Sequence, residues 1–294
     1  MLDRWLKRLA PRGECRLTVS REAVTVRRTG ASRHAAAQFV ERPLMGAGFA
    51  GDAAPGALAA ALAAAIDESG GRGLPVHVCF ADALARYFMV TPAENARRLS
   101  DLRAAAEVRF RMLYGQDPAG WQIQADWQAA EPFLACAVPR YWAGALHEAV
   151  AAGRGCVVSA QPEFVAAWNE TRRELGAHTW LATRGERALT LGLIAAAPRA
   201  RVVAVRTLAV PEPVPSLGWL REQVTRAALL DNLPAPSALV LHGPRCEVWM
   251  PGATDFTDPG LAVRWAGVAE RANALPAGAV AESAAPLAWS APTQ

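Results

Sequence analysis

The sequence is almost without lysine. Of its 31 basic residues only Lys7 is a lysine, and every other one is arginine. That absence excludes several chemistries. A Walker A loop needs a lysine directly after its glycines to reach the phosphates. A Schiff-base enzyme needs a lysine amine, and a lysine-dependent protein kinase needs one against the α- and β-phosphates. Metal and redox pairs are equally scarce. The five cysteines (Cys15, Cys79, Cys136, Cys156, Cys246) form no C-x-x-C pair, and the five histidines show no H-x-x-x-H spacing. An odd, dispersed set with apolar neighbours predicts reduced thiols in a cytoplasmic core, not a disulfide frame or a zinc site. No apolar run approaches the ~20 residues of a membrane-spanning helix. No serine stands in a G-x-S-x-G elbow, and Ser159 lies in V-V-S-A-Q-P. Nothing local supports Cys156 with His178 as a thiol enzyme. Asp126, Glu131 and Glu163 have no paired spacing, which leaves them surface or capping roles.

What is present suits a globular chain. Its 294 residues are 52% hydrophobic and 20% charged, enough for a real core and for two domains. The formal charge of +4 is scattered. Arg27-Arg28 and Arg97-Arg98 are doublets, not stripes interleaved with aromatics, so solvated faces are expected and nucleic acid is not. The start, M-L-D-R-W-L-K-R-L-A-P-R-G, is too short and charged for a secretory signal. Leu2, Trp5, Leu6 and Leu9 share one face of an amphipathic segment there. Eight of the tryptophans, Trp121, Trp127, Trp142, Trp168, Trp180, Trp219, Trp249 and Trp265, are spread over the chain and are expected as core anchors.

The pattern along the chain reads as two similar halves. C-R-L-T-V-S-R-E-A-V-T-V-R-R-T alternates around Ser20-Arg21-Glu22 as a hairpin, and A-A-A-Q-F-V-E-R-P adds a strand. G-A-L-A-A-A-L-A-A-A-I-D-E-S is a strong helix former. L-P-V-H-V-C-F-A and residues 84–90 are strands. Ser100 to Tyr114 is a helix with Ser100 as its cap, and W-Q-I-Q-A-D-W-Q and P-F-L-A-C-A-V-P-R are antiparallel strands. Tyr141 to Ala152 is a helix halted by Gly153. The second half then runs G-C-V-V-S-A-Q-P, a helix from Pro162 to about Leu175, the hairpin H-T-W-L-A-T-R-G-E-R-A-L-T-L-G-L-I-A and the strand R-V-V-A-V-R-T-L-A-V. A helix over 216–230 capped by Ser216, the strands S-A-L-V-L-H-G and C-E-V-W-M, and a late helix through Leu261, Trp265, Val268 and Ala272 complete it. G-A-G-F-A-G at 46–51 matches the dinucleotide glycine pattern. Antiparallel-looking strands precede it, and no acid stands about twenty residues on at a strand end, so it reads as a connection. A dinucleotide enzyme there predicts a parallel first sheet.

Three stretches carry a resemblance. The first is V-x-x-x-x-x-D-x-x-A-R-x-F in L-P-V-H-V-C-F-A-D-A-L-A-R-Y-F, followed by the helix of L-S-D-L-R-A-A-A-E-V-R-F-R-M-L-Y-G. The second is the A-x-P step of P-F-L-A-C-A-V-P-R into a helix. The third is the strand leading to Pro162 and the F-x-x-x-x-N helix of Phe164 and Asn169. Over roughly residues 14–250 this order resembles the actin-like cytoplasmic proteins of bacterial type IV pilus and type II secretion machines, the PilM and GspL type. The resemblance implies an α/β, two-lobed actin-like (ribonuclease H-like) fold with mixed sheets flanked by helices. Its divisions are a segment 1–13, a first lobe 14–153, a second lobe 154–278 and a tail 279–294. In active members ATP lies between the lobes, held by two hairpins with an aspartate at each and by a Gly-Gly turn.

This chain departs at all three places. Val19 and Ser20 stand where the first hairpin's acid and glycine would be. The second keeps Gly185 and Thr190, but Thr183 and Arg184 replace its acid. The last keeps Gly243 but has Pro244, which lacks an N–H, in place of the second glycine. Ser20, Gly185, Thr190 and Gly243 therefore read as vestigial nucleotide-loop positions, with no catalytic residue, metal or cofactor expected. What the resemblance implies is a cytoplasmic scaffold without catalysis, attached at the inner membrane through a partner. That partner is the cytoplasmic tail of a bitopic assembly protein, with an assembly ATPase as a further contact. The alternative is an ATP-binding ATPase of the same machinery using Arg184 and Arg187.

Overall fold

The computed structural model describes residues 13–30, 38–44, 55–185, 187–195, 200–250 and 260–266. The amphipathic start, the 46–51 glycine stretch, Val268 and Ala272 of the expected late helix, and the 279–294 tail lie outside them.

Alternation builds the first sheet. Strand β1 (Gly13–Val19) buries Cys15, Leu17 and Val19 and turns Arg16 and Thr18 outward. It pairs antiparallel with β2 (Ala23–Gly30), Cys15 opposite Arg28, and β3 (Gln38–Pro43) extends the edge. The antiparallel opening removes the dinucleotide reading of the 46–51 glycines, which required a parallel first sheet. Helix α1 (Pro55–Glu68) buries Leu58, Leu62 and Ile66 at i, i+4, i+8. The chain then enters β4 (Pro75–Phe80), parallel to β1.

An insert follows β4. Strand β5 (Arg86–Val90), helix α2 (Leu99–Tyr114), β6 (Trp121–Ala125) and β7 (Phe133–Pro139) make a three-stranded antiparallel sheet, order β5-β7-β6. Its separate core holds Phe88, Phe110 and Phe133 with Leu102 and Ala106 of α2. The cap of α2 is not Ser100. Asp101 accepts the N–H groups of Arg98 (3.0 Å) and Arg97 (3.3 Å), because its carboxylate reaches back across the first turn. Those bonds, Arg98's first, hold the Asp101 carboxyl below its usual range.

Helix α3 (Arg140–Ala152) then packs on α1 and returns the chain to the first sheet as β8 (Cys156–Pro162), parallel to β4. The sequence division put this strand in the second lobe. Gly153-Arg154-Gly155 looks like a boundary, but it is the turn of a crossover that completes the sheet. Cys156 lies exposed on that edge strand, whereas Cys15, Cys136 and Cys246 are buried thiols.

Helix α4 (Glu163–Thr171), shorter than expected, leads into the second sheet. Strands β9 (Thr179–Arg184), β10 (Ala188–Ala195) and β11 (Arg201–Ala209) precede helix α5 (Leu217–Leu230), and β12 (Ala238–His242) and β13 (Ala262–Trp265) follow it. The order β11-β10-β9-β12-β13 repeats β3-β2-β1-β4-β8 position for position. Three local expectations fail here. Ser216 stands at the N-cap of α5 without a side-chain capping bond. C-E-V-W-M holds a short 3-10 turn, Glu247–Trp249, that buries Trp249 and lets its indole N–H donate to the Pro215 carbonyl at 2.8 Å. Residues 262–265 are a strand and not a helix, because Leu261, Val263 and Trp265 also fit period two and β12 offers a parallel edge.

The two lobes share a core. Phe164 of α4, Leu181 of β9 and Val202 of β11 join the apolar cluster of the first sheet. Gly192 of β10 is required there, since a Cβ at that position would lie 2.3 Å from the Phe164 ring. Trp142, Trp168, Trp180 and Trp249 are buried, and Trp121, Trp127, Trp219 and Trp265 are half-buried.

Candidate functional site

Each opening hairpin has a turn that is bonded to itself. In the first, the Ser20 hydroxyl accepts the N–H groups of Glu22 (3.2 Å) and Ala23 (3.0 Å). The Ser20 N–H donates to the Ala23 carbonyl at 2.9 Å. These are the amides that a phosphate loop would offer to an anion. Ser20 thus serves as a turn closer. Beyond it, Arg21 donates to the Ala83 carbonyl at 2.9 Å, which ties the turn to the loop after β4.

In the second hairpin the Gly185 N–H donates to the Ala188 carbonyl at 2.8 Å. Thr190 is fully buried and shares a 3.2 Å hydrogen bond with Thr207. The two arginines of the alternative reading are engaged by protein. Arg184 donates to the Pro244 carbonyl at 3.2 Å and lies 5.5 Å from the centre of the Trp249 ring. Arg187 pairs with Glu212 at 3.3 Å on the surface. Gly243 has φ +118, and a Cβ there would lie 2.1 Å from the Arg184 carbonyl oxygen. The glycine is needed so that the end of β12 can press on the backbone of β9.

Between the two turns lies Asp82, the residue that sequence reasoning quoted and gave no role. It is 2% exposed, in the short 3-10 turn Asp82–Leu84 after β4. Oδ1 accepts the Tyr87 hydroxyl from β5 and the Phe164 N–H at 2.9 Å from the first turn of α4. Oδ2 accepts the Thr183 hydroxyl from β9. In return Glu163 accepts the Asp82 N–H at 3.4 Å. One carboxylate therefore joins the first sheet, the insert, α4 and the second hairpin. Its place at the start of α4 favours a negative charge, and it caps a helix whose own cap residue, Pro162, has no side-chain acceptor.

Burial dominates the electrostatics. It raises the Asp82 pKa above its ordinary 3.8, against the hydrogen bonds of Thr183, Tyr87, Phe164 and Thr190, which lower it. Burial, and then the Asp82 charge, hold the Tyr87 hydroxyl well above its usual range. Burial also pushes the neighbouring Cys136 thiol up to about 12, so it is a packing group and not a nucleophile. The second hairpin, which lacks an acid just before Gly185, is thus met by an acid from the other lobe, with both oxygens engaged by protein donors. Among the described residues no group of three or more His, Cys, Asp or Glu is placed to hold a metal ion. Cys156 and His178 lie in different sheets' surroundings, the first on the edge strand β8 and the second in the turn before β9. Glu131 pairs with Arg201 at 2.5 Å across the insert and the second lobe.

The repeated strand order, the crossovers and the junction between two sheets define an actin-like fold. Similar solved structures share it. The PilM–PilN type IV pilus biogenesis complex matches at 14% identity and TM-score 0.57, covering 87% of this chain and 89% of that one. The cytoplasmic domain of EpsL, an inner-membrane component of the type II secretion system of Vibrio cholerae, matches at 12% identity and TM-score 0.52, with 87% and 90% covered. A Bacteroides thetaiotaomicron protein with an actin-like ATPase fold and unknown function matches at 9% identity and TM-score 0.51, with 81% and 84% covered. No protein-family model and no curated protein matches the chain in sequence. Among the described residues no helix is long and apolar enough to cross a membrane.

Proposed function

We propose that the chain is a non-catalytic scaffold of a type IV pilus or type II secretion-like assembly platform. It works on the cytoplasmic side of the inner membrane, held there by the cytoplasmic tail of a bitopic membrane protein, with an assembly ATPase as a second contact. The fold shared with the PilM–PilN complex and with cytoplasmic EpsL supports this setting. The observation that carries the non-catalytic reading is the self-bonded state of both hairpin turns. Ser20 closes one, the Ala188 carbonyl closes the other, and the nearby carboxylate spends both oxygens on the protein's own donors. A phosphate there would have to displace bonds that already satisfy those groups.

In-cell photo-crosslinking followed by purification from membranes tests the partner. Recovery of a single-span membrane protein crosslinked through its cytoplasmic tail is expected. Repeated recovery of the uncrosslinked chain alone would overturn the scaffold reading. One observation favours the competing ATPase reading: Asp82 lies against the second hairpin, and an opened junction would free it together with Arg184 and Arg187 for Mg-ATP.

A further inference from the structure

Helix α2 has two apolar faces. The inner one, Leu102, Ala106 and Phe110, fills the core of the insert. The outer one runs through Ala104, Val108 and Met112, again at i, i+4, i+8. Ala104 is exposed, Val108 is 57% exposed and Met112 is 73% exposed. Solvent gives no reason for a second apolar row, because the inner face alone anchors the helix.

The charges around the row divide into engaged and available groups. Arg109 donates to the Met89 carbonyl at 3.3 Å, and Arg103 lies 5.9 Å from the centre of the Trp127 ring. Both are drawn to the flanks of the helix. Exposed Glu107 has no ion pair among the described residues, and Arg111 holds only a surface pair with Asp117 at 3.5 Å. Such pairs contribute little and exchange easily.

From this pattern we infer that α2 pairs with α2 of a second copy, antiparallel, about a two-fold axis beside Val108. Antiparallel inversion about Val108 sets Ala104 level with Met112 of the second copy, about 6 Å from the axis at 1.5 Å per residue. A small residue then stands level with a large one, twice over. The same inversion puts Glu107 within about 3 Å, along the helix axis, of the second copy's Arg111 on the same flank. Two opposite-charge contacts follow, and self-complementarity of this kind is what a two-fold interface requires. A pairing of single helices is a small interface, so the dimer is a weak, reversible one.

Sedimentation equilibrium of the full chain over roughly 1 to 500 μM reads this out. Dimerisation is expected, weakened at least about tenfold by Met112→Lys, an exposed change that leaves thermal unfolding unaltered. Glu107→Arg and Arg111→Glu each weaken it, and the double exchange restores it. In a Cys156→Ser background, Val108→Cys forms an intermolecular disulfide on mild oxidation, whereas Leu229→Cys, more open to solvent but off the face, does not. A chain that stays monomeric, a dimer indifferent to Met112→Lys, a double exchange that fails to restore it, or a Val108→Cys chain that crosslinks no faster than the Leu229→Cys chain would each overturn the pairing.

Discussion

The two opening hairpins occupy the same place in two sheets of the same strand order, and their turns end differently. The β1–β2 turn closes on its own serine and stays half-open to solvent. The β9–β10 hairpin is drawn into the junction, where Thr183 donates to Asp82 and Gly243 presses on the backbone of Arg184. A repeated topology fixes where a turn lies. What the turn does is decided by side chains from elsewhere in the chain. The second hairpin is a structural joint between the lobes, and the first is a surface feature tied by one arginine to the loop after β4.

The largest way to break this contrast is Asp82→Ala. It leaves the Tyr87 hydroxyl, the Phe164 N–H and the Thr183 hydroxyl without their acceptor, and a loss of about 3 kcal/mol in urea unfolding is expected. A smaller and more direct comparison changes the two hairpins in the same way. Thr183→Val removes a donor to a buried carboxylate, a loss of about 2 kcal/mol. Ser20→Ala removes a turn acceptor whose N–H partners can turn to water, a loss of about 0.5 kcal/mol. Equal losses would remove the distinction between joint and surface turn.

The mildest change is Asp82→Asn, in which hydroxyl partners can reverse their bonds. Here pH carries the signal. The folded-state pKa of Asp82 is raised, so the native chain holds its proton more tightly than the unfolded chain does. The stability linked to this group is fully present below the ordinary value of 3.8 and is lost as pH rises through the raised folded value. Wild type should therefore lose ground against Asp82→Asn as pH climbs from 3.8 through that window, and hold a constant difference above it. A difference that grows in favour of wild type over the window would reverse the assignment of burial as the dominant cause.

Much of the fold was legible because it is local. Period-two runs gave both hairpins, and the alanine-rich, helix-forming run G-A-L-A-A-A-L-A-A-A-I-D-E-S gave α1. The repeat of elements marked two lobes before any strand order was known. Period alone misled where two periods coincide, as at Leu261, Val263 and Trp265, where pairing with β12 decides for a strand. The lobe boundary failed at β8 because a glycine-rich turn inside a crossover looks like a linker. The site was legible as missing parts: no acid at Ser20 or Thr183, and a proline after Gly243. Asp82 was not, because its partners Phe164 and Thr183 stand 82 and 101 residues away. The one local hint was Pro162, a helix start without a capping side chain of its own.

The central claim is that these turns no longer receive nucleotide. Calorimetric titration of the full chain with Mg-ATP, followed by a phosphate-release assay on the same sample, tests it most directly. The account predicts no binding heat up to millimolar nucleotide and no phosphate release above the protein-free rate. Micromolar binding accompanied by turnover would contradict it.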